Sequence, residues 1–248
     1  MANYENQPRY GGTVARGADT AVDAGLRAHM IRVYNYMTIG LVLTGAAAYA
    51  VVNTSLASLF FQQAGGGFTL TALGWIAFIA PLPLVFIMSF GIGRMSVATA
   101  QILFWVYAAV MGISLSPILL LYTGASVAKT FFITAGTFGA MSLWGYTTSR
   151  DLSGMGRFLM MGVIGLIIAM VVNIFLQSSA VDFAISVIGV LAFTGLTAYD
   201  TQKIKEMYYA GDAEVVSGRK AIMGALSLYL DFVNLFLFLL RLFGSNRN

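Results

Sequence analysis

Apolar runs of roughly twenty residues recur from Met30 to the end of the chain, and they constrain its fold more than any other feature. Hydrocarbon gives backbone amides no water to bond, so a chain that crosses it forms helices or a closed barrel. The runs are continuous rather than alternating, which selects helices and predicts an all-α, polytopic membrane protein. They lie at about 30–52, 70–90, 96–121, 127–147, 158–177, 181–201 and 221–243. Composition agrees: 58% of the 248 residues are hydrophobic and 10% charged, where a soluble domain is about a quarter charged. Pro81 and Pro83 remove two backbone donors from the second run, which is expected to kink or break there. Pro117 lies near the end of the third.

Residues 1–29 are polar and rich in Gly and Ala, without the apolar core of a cleavable signal peptide. They read as a flexible cytosolic tail ahead of a single membrane domain, 30–248. The tail, the turn at 91–95 with Arg94, the link at 148–157 and the loop at 202–220 all carry Lys or Arg. The loops at 53–69, with Gly65, Gly66 and Gly67, and at 177–182 carry none. That alternation places the N-terminus in the cytosol and fits six crossings. A seventh crossing would leave Arg241 and Arg247 outside, against the rule. The run 221–243 nevertheless gives about 34 Å of helix, so a full crossing is expected rather than a re-entrant segment. A net charge of +4 would point to nucleic acid in a soluble chain. Here the cations sit in short loops, and the expected surroundings are membrane lipid.

The last run carries one acid, Asp231, flanked by apolar residues on both sides. A carboxylate at that depth normally faces a protein interior or a watery path and has a partner. Asp200, at the end of the preceding run, is the nearest candidate. Two helices joined by a loop are free to lie antiparallel, which brings these acids to similar depth. Two touching carboxylates do not both ionise readily, so the pair shares a proton. Such a pair can hold a divalent cation such as calcium through its oxygens, or act as a proton-controlled latch. A satisfied interhelical hydrogen bond is the plainer alternative. Asn234, one turn past Asp231 on the same face, either lines a path or bonds a neighbour. Asn35, Gln101 and Asn173 are the other amides noted within the runs. The single histidine, His29, sits beside Arg27 and Arg32 and reads as an interfacial residue. The chain has no cysteine, no phosphate-binding loop and no metal-type cluster, so no cofactor and no enzymatic activity are expected. An aspartyl protease would be the enzyme version of the acid pair, but the surroundings AYDTQ and YLDFV lack a GxGD-type setting.

GLTAYDTQKIK at 195–205 and ALSLYLDFVNLFLFLLRLFG at 225–244 resemble the C-terminal signature of the Bax inhibitor-1 family. The segment at 112–146 is similar to its central motif, and the likeness extends over about 30–244. The resemblance implies seven transmembrane helices with the last one central. It implies a pH-sensitive calcium leak gated by a proton-sharing aspartate pair, which maps onto Asp200 and Asp231. It also implies a pore-closing arginine on the second helix, and Arg94 is the basic residue nearest that place. Calcium and protons would be the transported or bound ions. The other function to weigh is a membrane interaction protein that modulates a quality-control protease or stress and cell-death partners without conducting ions. A short tail and the lack of eukaryotic targeting features point to a bacterial inner membrane.

Overall fold

The computed structural model describes residues 11–64 and 67–247, and the architecture is all-α apart from one small hairpin. Helix α1 runs Gly11–Asn53, followed by a single turn α2 at Ala57–Phe60. The second apolar run forms two helices, α3 (Ala72–Ile79) and α4 (Pro81–Gly91). They meet at Ala80, immediately before the first of the two prolines, as the missing backbone donors require. A 3-10 turn, Ile92–Arg94, leads to α5 (Val97–Leu121), α6 (Gly124–Thr147), α7 (Ser153–Leu176), α8 (Ser179–Glu206) and α9 (Glu214–Phe243). Side chains cap several starts: Ser96 accepts from Thr99 N–H at 3.0 Å and Thr71 from Gly74 N–H at 3.1 Å.

Two local elements depart from the sequence expectation. Residues 1–10 of the expected tail lie outside the described residues, but the rest of it, 11–29, is helical and continuous with the first crossing. Alanine at positions 15, 18, 21, 24 and 28 favours that continuation. In the loop at 53–69, strands β1 (Phe61–Ala64) and β2 (Gly67–Leu70) pair antiparallel, with Phe61 opposite Leu70. Gly65 and Gly66 at the hairpin's tip are outside the described residues.

Among the described residues, six helical spans are long and apolar enough to cross a membrane: residues 24–53 of α1, the α3–α4 pair with its turn, α5, α7, α8 and α9. The chain is therefore a multi-pass membrane protein. Helix α6, the expected fourth crossing, has 24 residues but falls outside this set. Ser126, Lys129, Thr130, Thr134, Thr137 and Ser142 spread polar groups along its length. Most of those hydroxyls face inward, with Ser126, Thr130, Thr134 and Ser142 all buried.

The helices enclose α9. It packs on α8, α1, α6 and α5, while α7 rests mainly on α8 and the α3–α4 pair on α5. The inner ring is thus four helices, with two lipid-side neighbours, rather than all six in one shell. The apolar stretch of α9 is 67% buried, that of α7 only 6%. Both ends of α9 are tied down. At its start Arg219 donates to the carbonyls of Met95, at 2.7 Å, and Gly93, at 2.8 Å. Beyond its end Ser245 accepts from Thr123 N–H at 3.0 Å, and Arg247 N–H donates to the Leu121 carbonyl at 2.8 Å.

Candidate functional site

Small residues set the register that builds the site. On α8 and α9, a Cβ at Gly189 would lie 2.6 Å from the Phe238 ring, and one at Gly224 would lie 3.1 Å from Ile204. Helices that approach this closely use such residues to bring backbones together. With Gly189 against Phe238 and Gly224 against Ile204, the two helices run antiparallel in a fixed alignment. The level between those contacts carries Asp200 on α8 and Asp231 on α9. Helices α8 and α9 both extend further than the apolar runs, so only seven residues, 207–213, connect them. Asp231 lies seventeen residues after Glu214, about 26 Å along the helix. The first three turns of α9 therefore pass the end of α8 before the acids align.

The carboxyls of Asp200 and Asp231 come within hydrogen-bonding reach of each other. Asp231 is 4% exposed and Asp200 is half-buried. Among the described residues, Asp231 Oδ2 has no hydrogen-bond partner. Lys203, one turn beyond Asp200, is the cation whose charge acts on it, and it leans over the Tyr199 ring at 5.9 Å. Asn234 turns back on its own helix, its Nδ2 donating to the Leu230 carbonyl at 2.9 Å. Arg94 is exposed in its 3-10 turn, and among the described residues no ion pair or hydrogen bond joins it to either acid. It is Arg219 that grips that turn.

The acids sit inside a frame of hydroxyls and one amide that the sequence reading did not assign. Tyr229, two residues before Asp231, lies 2.6 Å from Thr44 Oγ1 on α1, and Thr44 bonds the Ala108 carbonyl on α5 at 2.8 Å. Beside Asp200, Thr201 Oγ1 lies 2.9 Å from Ser142 Oγ on α6, and Ser142 also bonds the Tyr34 hydroxyl on α1. Gln202 is buried, accepting from Leu152 N–H and donating to the Arg150 carbonyl, both at 2.8 Å. It fixes the polar link after α6 to the end of α8. In that link the exposed Asp151 accepts from Ser153 N–H at 2.8 Å, and this bond holds its carboxyl below the usual carboxylate range. A hydroxyl on an apolar helix carries no sequence mark of which neighbour it bonds. His29, near the start of the first span, is buried, packed 5.7 Å from the Tyr208 ring, with neither ring nitrogen bonded among the described residues.

The family model described as Inhibitor of apoptosis-promoting Bax1 matches residues 26–248. The chain belongs to the Bax inhibitor-1 family. Bax inhibitor-1 relatives cover nearly its whole length. An uncharacterised protein of Rickettsia prowazekii is 52% identical over 227 residues, 91% of this chain and 93% of that one. An uncharacterised protein of Caulobacter vibrioides is 50% identical over 233 residues, 93% of each. The inner membrane protein YbhL of Escherichia coli is 48% identical over 227 residues, 90% of this chain and 94% of that one. The match begins inside α1 and contains both acids and all the later helices of this Bax inhibitor-1 protein.

Proposed function

We infer that this Bax inhibitor-1 protein is a pH-sensitive calcium leak of a bacterial inner membrane, gated by Asp200 and Asp231. The observation that carries the reading is the meeting of the two carboxyls in the core of the bundle, one of them with an oxygen left unbonded. In a medium of low polarity two adjacent carboxylates are most stable holding one proton between them. Loss of that proton leaves two like charges between α8 and α9 and drives the helices apart. Proton supply on either side thus sets how readily the bundle opens.

Calcium enters this reading as cargo. It prefers six to eight oxygen ligands, and among the described residues no group of three acids, histidines or cysteines gathers to hold it. Two carboxylates would strip part of its water shell and let it pass. In the same reading α6 crosses the membrane with the other six spans, its hydroxyls turned inward, and the N-terminus is cytosolic. The reaction is permeation, with no chemistry for a catalyst. The relative named as an inner membrane protein supports the location.

Calcium flux into liposomes holding the purified chain, measured at about pH 6, 7 and 8, tests the proposal. The parent is expected to conduct at a pH-dependent rate, and Asp200→Asn and Asp231→Asn are each expected to flatten that dependence. A normal pH response in both variants would remove the acid pair from the mechanism. The second reading is a membrane interaction protein acting on a protease or stress partner. Tyr209, Val215 and Val216, exposed around the α8–α9 connection, favour it. It becomes the leading reading if the parent moves no calcium above empty liposomes.

A further inference from the structure

A groove of about 790 Å³ opens between α1 and α6 and shares Tyr34 and Ser142 with the hydroxyl frame beside Asp200. Its walls run from Arg27 to Leu41 on α1 and from Tyr146 back to Phe131 on α6, and Phe232 of α9 lines it. The fourteen residue steps from Arg27 to Leu41 span about 21 Å. One leaflet with its headgroup zone is about 20–22 Å deep, half of a full bilayer. The lining is graded along that length. Arg27 is the one charged lining residue among the described residues and stands exposed at one end. The hydroxyls of Tyr34, Thr38 and Ser142 follow, and Leu41 and Phe131 close an apolar far end. A second cation stands at the charged end. Lys205 lies 5.3 Å from the centre of the Tyr146 ring and donates to the Tyr146 carbonyl at 2.9 Å. Among the described residues, no acid lines the groove.

We propose that the α1–α6 groove is a binding site for one anionic phospholipid, its phosphate between Arg27 and the Lys205–Tyr146 pair and an acyl chain along Gly139 and Phe138 toward Phe232. The grading from cation through hydroxyl to hydrocarbon follows the order of groups in such a lipid. A zwitterionic lipid of the same chains would fill the apolar end but bring its own cation to a cationic mouth. The inference does not depend on the leak reading, because lipid retention is measured without ion flux.

Two glycines of α6 make the test clean. A Cβ at either Gly136 or Gly139 would meet open space, yet only Gly139 lines the groove. Native mass spectrometry of the purified chain, titrated with phosphatidylglycerol or phosphatidylcholine of equal acyl chains, reads lipid retention directly. The parent is expected to prefer phosphatidylglycerol about fivefold for each basic contact. Arg27→Gln is expected to lower the preference about fivefold, leaving the part due to Lys205, while some of both lipids still bind. Gly139→Leu is expected to lose both by filling the groove, and Gly136→Leu to behave as the parent. Equal retention of the two lipids by the parent would overturn the proposal. So would a Gly139→Leu variant that keeps phosphatidylglycerol as well as Gly136→Leu does.

Discussion

Helix α7 is more apolar than α9, and yet it is α9 that the other helices enclose. In water the order would be reversed, because the most apolar element would be driven inside. In a bilayer the lipid tails are as apolar as leucine, so burial of a helix gains nothing from hydrophobicity alone. The helix that goes inside is the one with small residues for close approach and polar groups that need partners. Helix α9 has both: Gly218, Ala221, Gly224 and Ala225 are buried, and so are Tyr229 and Asp231. Helix α7 instead shows Phe158, Met161, Ile164, Ile168 and Phe175 to its surroundings.

The comparison is easiest to break with glycine. Gly189→Leu forces a side chain into Phe238 at the α8–α9 contact and is expected to destabilise by about 1–3 kcal/mol. Gly162→Leu on α7 meets open space and is expected to stay within about 0.5 kcal/mol of the parent. Thermal unfolding in detergent measures both, and equal losses would mean that α7 is packed as α9 is. Tyr229→Phe removes the bond to Thr44 and is expected to cost about 0.6–1.7 kcal/mol in the same measurement. No loss there would make the hydroxyl frame incidental to how α9 is held.

Much of this contrast can be read from the sequence, but unevenly. The helices and the break at Pro81 are legible because apolar length and missing amide donors are local properties. The acid pair is legible because a carboxylate in hydrocarbon demands a partner, and Asp200 is the nearest. The partners of Tyr34, Thr44, Ser142 and Thr201 are not, since each hydroxyl finds a helix far away in the chain. Nor is the buried place of His29, which depends on Tyr208 folding against α1. The β1–β2 hairpin escapes notice because its strands are four residues each, too short for alternation to register. The helix expected at 127–147 is legible too, as α6, while apolarity alone does not count it among the spans, because its hydroxyls lower its apolarity while directing it inward.

The smallest expected effect is at the surface. Asp151 is held below its ordinary value of 3.8 by Ser153, so its bond stabilises the folded state above that pH and fades as the carboxyl protonates below it. Asp151→Asn is expected to lower the melting temperature slightly at pH 7, with the difference vanishing toward pH 3. Screening keeps the effect small at an exposed site. A gap that widened in acid would reverse the sign and assign Asp151 another partner.

The ties at the two ends of α9 bear on how such a bundle can move. Arg219 grips the turn before α5 at one end, and Ser245 and Arg247 are stitched to the α5–α6 connection at the other. A rod fixed at both ends neither slides nor turns freely, so α9 serves as the axle of the bundle. In the proposed leak, motion at the acid pair then falls to the elements around α9, among them α8, which carries Asp200 and whose far end reaches α9 through Gly189, Phe193 and the exposed Asp182–Arg241 ion pair. If the bundle opens as proposed, a label placed on α8 near Asp200 would move relative to one placed on α9.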